Sequence, residues 1–275
     1  MSAIPRNQGQ FSTCFRHSLQ LTRRESELEN EPQNRRTYLV TGASSGIGQA
    51  VSSRLVGEGS HVFAVSRRPE RDVAGPLCES GSFRYFQCDL SDFDDLNLKV
   101  PRILQEASGL NGVVLCHGYG DFGSLEEFSA SRIRKLVDTN LTSHAMILRL
   151  VVPGMKRQKQ GDVVVIGSES ARSGGRRGAV YSAAKFGLRG LVQALRKECA
   201  PSNVRVSIIH PGMVDTPFFD ALDFAPGESP DNFLTATDVA AAVCYVLEMP
   251  PGTVMDEINL SPLKTVIRNK PVSAD

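Results

Sequence analysis

The chain has 275 residues, of which 41% are hydrophobic, enough for the core of one large α/β domain or of two small ones. Its 31 basic and 30 acidic residues leave a formal net charge of +1, which gives no support for binding to nucleic acid or to a membrane surface. No apolar run approaches the ~18 residues of a membrane-spanning helix, and the cysteines show no spacing typical of a metal site. We therefore predict a cytoplasmic protein with reduced thiols and no metal.

Residues 1–35 differ in composition from the rest of the chain. Up to Arg24 the segment carries arginines and no acidic residue, as organelle transit peptides do, and Phe11, Phe15 and Leu19 could line one helix face. The alternatives are a disordered or loosely docked extension and a translation start placed too early. We predict a disordered extension at residues 1–35, one domain at residues 36–265 and a C-terminal tail at residues 266–275.

Strands and helices alternate through the predicted domain. The apolar pattern predicts strands at residues 38–40, 61–65, 83–87, 113–116, 162–166, 204–209 and 257–260. It predicts helices from the glycine-rich stretch 41–48 to Gly57 and at residues 92–107, 131–156, 181–198 and 237–247. Pro101 should break or restart the second helix, and residues 211–235 have no clear periodicity. The alternation predicts a single α/β domain, a doubly wound parallel sheet of about seven strands covered by helices on both faces.

A glycine-rich turn joins the first predicted strand to the first predicted helix. It reads Thr-Gly-Ala-Ser-Ser-Gly-Ile-Gly at residues 41–48. Gly42 permits a sharp turn, and Gly46 and Gly48 would let backbone N–H groups and the helix N-terminus approach a pyrophosphate. The spacing is G-x-x-x-G-x-G, which differs from the commoner G-x-G-x-x-G. In this strand–turn–helix context it predicts a Rossmann-like nucleotide site.

The residues that end the second predicted strand bear on the choice of dinucleotide. A carboxylate at this point would bind the adenosine ribose hydroxyls and repel a 2′-phosphate. The chain has Ser66, Arg67 and Arg68 instead, and Arg67 could pair with a 2′-phosphate through charge-assisted hydrogen bonds. We predict NADP as the cofactor, with NAD less favoured. The alternative is that both arginines are solvated and that Glu70 or Asp72 folds back to the ribose.

Tyr181 and Lys185 stand four residues apart, so they share one face of a predicted helix. The lysine charge and the nearby helix N-terminus would both lower the pKa of the tyrosine from about 10, which would suit a general acid or base near neutral pH. Ser168 follows the fifth predicted strand and could hydrogen-bond a substrate oxygen. Tyr-x-x-x-Lys also arises by chance, and the alternative is an exposed pair on a solvated helix face.

Several further motifs stand in a characteristic order along the chain. After the glycine-rich turn come Cys-Asp-Leu at 88–90, Cys-His-Gly at 116–118, Asn140 in Asp-Thr-Asn-Leu, then Ser168, Tyr181 and Lys185, and Pro-Gly-Met-Val-Asp-Thr at 211–216. With these motifs the chain resembles the short-chain dehydrogenase/reductase family in its compact, single-domain form. The resemblance covers about residues 36–262.

The resemblance implies a role for each matching position. Ser168 would polarise the substrate oxygen, Tyr181 would donate or accept its proton, and Lys185 would lower the tyrosine pKa and hold the nicotinamide ribose. Asn140 would order a water that relays protons. The cofactor would also contact Gly42, Ser44, Ser45, Gly46, Ile47, Gly48, Ser66, Arg67, Asp89, Leu90, Gly118, Pro211, Gly212, Val214 and Thr216. The alternatives are that Asn140 caps a backbone carbonyl and that Asp89 caps the following helix.

One segment departs from the family pattern. Where the family usually has Asn-Asn-Ala-Gly after the fourth strand, this chain has Leu115-Cys116-His117-Gly118. The family's asparagines brace the central sheet, so the change bears on the geometry around the cofactor. His117 could be an additional acid or base, but we favour a packed or rim histidine.

The predicted function is hydride transfer between nicotinamide C4 and a carbonyl or secondary alcohol, with Tyr181 as general acid/base. The substrate is an unidentified small molecule, bounded by residues 121–124, 172–177 and 218–235. Arg172, Arg176 and Arg177 could attract an anionic substrate, or could form a solvated rim or subunit contact. The family implies a homodimer or homotetramer formed through the two long helices. The alternatives to this enzyme are a catalytically weak NADP-sensing scaffold and a nucleotide-sugar epimerase or dehydratase.

Overall fold

The structure of the protein, a computed structural model, describes residues 35–70, 73, 77 and 81–270. The predictions for the N-terminal extension up to residue 34 and for Asp72 lie outside the described residues. The chain from Arg36 onward forms one compact unit.

Seven parallel strands form the central sheet. The strands of the described residues are β1 (Thr37–Thr41), β2 (His61–Ser66), β3 (Phe83–Gln87), β4 (Gly112–Leu115), β5 (Gly161–Ile166), β6 (Val204–Pro211), β7 (Val214–Asp215), β8 (Phe224–Pro226), β9 (Leu234–Thr235), β10 (Glu257–Leu260) and β11 (Ile267–Asn269). The sheet has the order β10-β6-β5-β4-β1-β2-β3, and every neighbouring pair in it is parallel. The order reverses direction between β1 and β4, which opens a crevice at the carboxyl ends of these strands.

Helices cover both faces of the sheet. They are α1 (Gly46–Gly57), α2 (Phe93–Ala107), α3 (Ala130–Val137), α4 (Ser143–Gln158), α5 (Ala179–Cys199) and α6 (Ala236–Leu247). Successive strand residues point to opposite faces, so Leu39 and Phe63 pack with α2, α4 and α5. Val40 and Val62 pack with α1 and α6 on the other face. The predicted doubly wound α/β fold is therefore confirmed.

Two helical predictions need correction. Pro101 lies inside α2 without ending it, because the buried Leu96, Val100 and Ile103 hold both halves of the helix against the sheet. The helix predicted over residues 131–156 is interrupted, since a π-helical turn at Asp138–Thr142 separates α3 from α4. π-helical turns are often found at functional sites, and this one carries Asn140.

The region after β6 is built from short pieces, as its lack of periodicity indicated. β7 pairs with β9, and β8 pairs antiparallel with β11. The second pairing brings residues 267–269, from the predicted C-terminal tail, against residues 224–226 of the predicted domain. The division of the chain at residue 265 stays a prediction, although part of that tail packs on the domain.

Candidate active site

The glycine-rich turn lies between β1 and α1 at the crevice. Gly42 has a φ of +67° and Gly46 a φ of +53°, in the left-handed region that favours glycine. A Cβ atom at Gly48 would clash with the carbonyl oxygen of Gly42. The turn is therefore pressed against the start of α1, with its backbone facing the crevice.

Two adjoining cavities open at the carboxyl ends of the strands. The first has a volume of about 470 Å³ and is lined by Gly42, Ser44, Ser45, Gly46, Ile47, Gly48, Ser66, Arg67, Asp89, Leu90, Gly118 and Thr216, among others. The second has a volume of about 500 Å³ and is lined by Asn140, Ser168, Tyr181, Lys185, Pro211, Gly212, Val214 and Thr216, among others. Both cavities are bordered by Ile47, Gly118 and Thr216, so they meet. The structure thus brings every predicted site residue to one of two connected cavities.

At the outer end of the first cavity, the backbone after β2 is anchored to β3. The Tyr85 hydroxyl donates to the carbonyl oxygen of Arg68 at 2.6 Å, and Gln87 Nε2 donates to that of Arg67 at 3.3 Å. The Arg67 side chain is exposed and lines the cavity. Within the described residues the Arg67 guanidinium makes no ion pair, so its charge is available to a ligand.

Asp89 does not cap α2, contrary to the alternative that was left open for it. Its carboxylate accepts from the backbone N–H and the hydroxyl of Ser91 at 3.0 and 2.7 Å. The N-cap of α2 is Asp92, which accepts from the N–H groups of Asp94 and Asp95. Asp89 instead borders the first cavity.

The three predicted catalytic residues Ser168, Tyr181 and Lys185 line the second cavity. Ser168 lies just beyond β5, and Tyr181 and Lys185 lie near the start of α5. Tyr181 is 5% exposed and Lys185 is 4% exposed, so the alternative of a solvated pair is wrong. Lys185 Nζ lies 5.9 Å from the centre of the Tyr181 ring and donates to the carbonyl oxygen of Ile166 at 3.3 Å.

Burial is the largest influence on the pKa values of Tyr181 and Lys185. It raises the pKa of Tyr181 to about 12, which the Ser168 hydrogen bond opposes and the negative charge of Glu169 reinforces. Burial also lowers the pKa of Lys185 to about 8. The expected lowering of the Tyr181 pKa is therefore wrong for this structure. The phenolate loses more hydration than the Ser168 hydrogen bond replaces.

Asn140 is fully buried and tied to the backbone from the π-helical turn. Its Nδ2 donates to the carbonyl oxygens of Tyr119 and Leu136 at 3.0 and 3.1 Å, and its Oδ1 accepts from the N–H of Tyr119 at 3.3 Å. A Cβ atom at Gly118 would lie 2.6 Å from Asn140 Oδ1 and 3.7 Å from Lys185 Nζ. The carbonyl-capping role left open for Asn140 is thus observed, and the proton relay stays a prediction.

His117 is a packed residue, as favoured from the sequence. Its ring nitrogens lie 2.7 Å from Thr41 Oγ1 in β1 and 2.8 Å from Ser143 Oγ in α4. The ring stacks on His144 at a centroid distance of 3.8 Å, and burial lowers the pKa of His117 to about 3. His117 is therefore neutral near pH 7 and braces the first strand against α4, the kind of role that asparagine has in the family pattern.

Phenylalanine rings wall the second cavity. Phe122 lies 5.1 Å from Tyr181 and 5.1 Å from Phe224, and Phe218 lies 6.2 Å from Tyr181, all between ring centroids. Phe219 extends the cluster at 5.1 Å from Phe218. These rings come from the two phenylalanine-bearing segments predicted to bound the substrate, and they make the cavity wall largely apolar.

The three loop arginines, Arg172, Arg176 and Arg177, do not form one anion-binding site. Arg176 and Arg177 line the second cavity, but Arg172 is not among its lining residues. Arg177 pairs with Asp223 at 2.9 Å, which offsets its charge. A carboxylate, Glu169, lines the same cavity, and its surroundings raise its pKa through burial. The anionic-substrate hypothesis therefore has little support in the described residues.

His210 and Glu169 are two residues at the site that sequence reasoning missed. His210 is the penultimate residue of β6 and lies against the backbone of Ser168, and Glu169 directly follows Ser168. The local signal for His210 was its place before the Pro-Gly of the 211–216 motif. Nothing in the spacing of the residues indicated the contact with Ser168, because 42 positions separate the two.

Other expectations concern metals and membranes. Among the residues that the structure describes, no three His, Cys, Asp or Glu side chains are grouped to hold a metal ion. In the same part of the chain, no helix has the length and apolar character needed to cross a membrane. Cys88, Cys116, Cys199 and Cys244 are free thiols.

The parallel sheet, the glycine-rich turn and the crevice define a Rossmann-like α/β protein. The sequence model of the family described as short chain dehydrogenase matches residues 36–225, so the chain belongs to that family. It is a dehydrogenase or reductase of this family.

Relatives with curated sequences agree with this assignment. A short-chain dehydrogenase/reductase of Talaromyces verruculosus is 34% identical over 181 residues, 65% of this chain and 69% of the relative. An uncharacterised oxidoreductase of Staphylococcus epidermidis is 27% identical over 227 residues, 82% of this chain and 96% of the relative. Among solved structures, the alcohol dehydrogenase of the archaeon Thermococcus sibiricus, complexed with 5-hydroxy-NADP, is similar with a TM-score of 0.75 and 27% identity. That match covers 82% of this chain and 96% of the archaeal one.

Proposed function

We propose that the protein interconverts a carbonyl compound and the corresponding alcohol, with NADP as the hydride carrier and Tyr181 as general acid/base. The observation that carries this proposal is the grouping of Ser168, Tyr181 and Lys185 in one cavity. That second cavity joins the first cavity, which is lined by the glycine-rich turn and Arg67. A dinucleotide lying across both would bring its reactive end to Tyr181.

The residues present fit a dinucleotide. The glycine-rich turn exposes backbone N–H groups at the start of α1, and a side chain at Gly48 would obstruct the turn. Asp89 and Leu90 border the first cavity, as expected for the adenine end of the dinucleotide. Val214 and Thr216 border the second cavity, as expected for the nicotinamide end. The nicotinamide, when bound, supplies the hydride.

Arg67 favours NADP over NAD. Arg67 lines the first cavity, where a 2′-phosphate would be bound, and its guanidinium has no ion-pair partner in the described residues. Charge-assisted hydrogen bonds of this type contribute about 1.5–3 kcal/mol. The alcohol dehydrogenase of Thermococcus sibiricus, crystallised with an NADP derivative, supports the same choice.

Each polar side chain of the second cavity would have a separate role in the reaction. The Ser168 hydroxyl would hold the substrate oxygen beside the Tyr181 hydroxyl, since both side chains line the same cavity. With a pKa of about 12, Tyr181 carries its proton at neutral pH and is ready to donate it to the oxygen of a carbonyl being reduced. Lys185, with a pKa of about 8, is mostly an ammonium at neutral pH and would bind the ribose. Asn140 would relay the replacement proton through an ordered water.

The protonated tyrosine, which predominates at neutral pH, is the form that carbonyl reduction requires. The phenylalanine wall favours a carbonyl compound with a largely apolar body. Nothing in the described residues favours the sensing scaffold or the epimerase. Pairing of copies through α4 and α5 remains a prediction of the family pattern.

The test is Tyr181→Phe assayed with NADPH and a panel of aromatic aldehydes and ketones. We expect turnover to fall by about 10²–10⁴-fold, because the substituted ring has no proton to give. Nucleotide affinity, followed by nicotinamide fluorescence, should stay near that of the wild type. Tyr245→Phe, on the exposed side of α6, is the matched control and should change neither quantity. A Tyr181→Phe enzyme that keeps most of its rate would overturn the assignment.

A further inference from the structure

The C-terminal strand β11 forms one wall of the cavity that holds Ser168 and Tyr181. Ile267 and Asn269 line this cavity, whereas Arg268 between them does not. Alternate residues of a strand point to opposite sides, so this pattern is what a strand laid along the cavity produces. Arg268 points away and contacts the carbonyl oxygen of Pro226 at 3.1 Å and the carboxylate of Glu228 at 3.7 Å.

Hydrogen bonds fasten β11 to the loop that carries the phenylalanine rings. Beyond the pairing of β11 with β8, the Lys270 N–H donates to the carbonyl oxygen of Asp223 at 2.8 Å. The Lys270 ammonium donates to the carbonyl oxygens of Phe219 and Asp220. At the other end of the strand, the Gly227 N–H donates to the carbonyl oxygen of Val266 at 2.9 Å. The wall is therefore held in place from both ends of the strand.

Both cavity-facing side chains of β11 have unused binding capacity. Ile267 is 58% exposed and lines the cavity, so it has apolar surface available to a ligand. The Asn269 carboxamide makes no hydrogen bond within the described residues, although it can donate twice and accept through its oxygen. An apolar surface beside a free amide is suited to a ligand that is apolar along its length and polar at one point.

The register places Asn269 away from the reacting group. Asn269 pairs with Phe224, and the Phe224 ring lies 5.1 Å from Phe122, which in turn lies 5.1 Å from Tyr181. Asn269 is thus connected to the tyrosine through two successive phenylalanine residues. A group bound by Asn269 belongs to the part of the substrate remote from the carbonyl.

We propose that β11 is a substrate-binding element, in which Ile267 packs on the apolar body of the substrate and Asn269 hydrogen-bonds a neutral polar group at its far end. The substrate class is an aryl or alkyl ketone or aldehyde with a hydroxyl or similar group remote from the carbonyl. This inference rests on the proposed carbonyl reduction. Arg177 in the same cavity is paired with Asp223, which offsets its charge.

Two matched ketones test the proposal with NADPH: 4-phenyl-2-butanone and 4-(4-hydroxyphenyl)-2-butanone, which differ only in the remote hydroxyl. We expect Asn269→Ala to raise KM about five- to tenfold for the hydroxylated ketone and to leave KM for the other unchanged. Ile267→Ala should raise KM for both ketones by about tenfold. Arg268→Ala, on the opposite side of the strand, should change neither. NADPH affinity should stay near the wild-type value in all three variants, and Arg268→Ala should also keep the wild-type kcat.

Several results would overturn the proposal. These are equal effects of Asn269→Ala on both ketones, an effect of Arg268→Ala as large as that of Ile267→Ala, or unchanged KM values throughout. Calorimetric binding of the same ketones separates this inference from the proposed function. A wild-type protein that binds the ketones without reducing them contradicts the function, while the variants still test β11 through the dissociation constants. A protein that neither binds nor reduces them contradicts the substrate class itself.

Discussion

The Nδ1 atom of His210 lies 3.0 Å from the carbonyl oxygen of Ser168, so strand β6 holds the backbone of the residue that carries the candidate catalytic hydroxyl. His210 is 1% exposed, and burial lowers its pKa. Its Nε2 lies 3.8 Å from a carboxylate oxygen of Glu257, which Arg189 and Gln193 hold in place. The neutral ring with its proton on Nδ1 would donate to Ser168 and fix the direction of the segment that follows β5.

His210 should therefore act as a positioning residue. His210→Ala removes the donor to the Ser168 carbonyl, and we expect kcat to fall by about 10- to 100-fold, the effect of about 1–3 kcal/mol for an unsatisfied buried group. Nucleotide affinity should change little, because the first cavity does not include His210. Steady-state kinetics and fluorescence titration measure the two quantities.

The conservative variant decides whether the hydrogen bond itself is responsible. His210→Asn keeps a side-chain donor and should recover part of kcat. His61→Ala, at the start of β2 and outside both cavities, serves as the control. Equal losses of kcat in His210→Ala and His210→Asn, or a parallel loss of nucleotide affinity, would point to general damage to the fold instead.

Arg67→Ala should weaken NADPH binding by about 10- to 100-fold, the equivalent of about 1.5–3 kcal/mol of charge-assisted hydrogen bonding. NADH has no 2′-phosphate, so its affinity should stay within about twofold of the wild-type value. Nicotinamide fluorescence titrations of both nucleotides provide the measurement. The control is Arg84→Ala, since Arg84 is an exposed arginine of β3 paired with Glu106. Tighter binding of NADH than of NADPH by the wild type would refute the role given to Arg67.

The pH dependence of the two directions should differ. Oxidation of an alcohol requires Tyr181 to accept a proton, and with a pKa of about 12 the phenolate is scarce at neutral pH. The oxidation rate should therefore rise with pH, by up to about tenfold per unit, between pH 7 and 10. Reduction uses the protonated form, which predominates throughout this range, so its rate should not rise in parallel.

Glu169→Gln tests the cause of this shift. The carboxylate raises the pKa of Tyr181, so its removal should lower that pKa and increase oxidation at pH 8. Glu106→Gln, remote from the cavities and paired with Arg84, should leave the profile unchanged. Identical pH profiles for wild type and Glu169→Gln would show that the carboxylate has no influence on the proton transfer.

The buried His117 should make the protein sensitive to acid. Its pKa is lowered from 6.5 to about 3 in the folded state, so between these values the unfolded chain binds the extra proton. The free energy of unfolding then rises with pH in this window, and it falls as the pH is lowered from 6.5 towards 3. One such histidine contributes at most about 1.4 kcal/mol per pH unit.

The measurement is urea unfolding of wild type and His117→Asn at pH 7.5 and pH 5. The variant should be less stable at pH 7.5, because it loses the hydrogen bonds to Thr41 and Ser143. It should lose less further stability on going to pH 5, because one titrating group is gone. His144 and His210, whose pKa values are also lowered by burial, maintain part of the slope in both proteins. An equal loss in the two proteins would contradict the assignment.

The order of strands and helices could be predicted from the sequence because it depends on local patterns. A run such as Val163 to Ile166 is apolar over the length of a buried strand, and the glycines of residues 42–48 are required by the turn they form. The site residues could be predicted because they directly follow these elements. Parallel strands bring their carboxyl ends to one edge of the sheet, so residues at those ends meet.

Features that depend on contacts between distant segments could not be predicted in this way. The strand β11 was assigned to a tail because three residues carry little periodic signal, and its partner β8 lies more than 40 positions earlier. The continuity of α2 through Pro101 depends on the packing of Leu96 and Ile103 against the sheet. Local propensity is a weak constraint wherever tertiary packing opposes it.

The sequence by itself determined the class of protein, its parallel α/β fold and the candidate residues Ser168, Tyr181 and Lys185, since short-range spacing and order carry that information. Only the tertiary structure decided the protonation of the site. Two residues four positions apart predict a lowered tyrosine pKa, but burial among Phe122, Phe218 and the end of β5 raises it to about 12. Desolvation is a property of the whole surrounding volume, and no local spacing of residues specifies it.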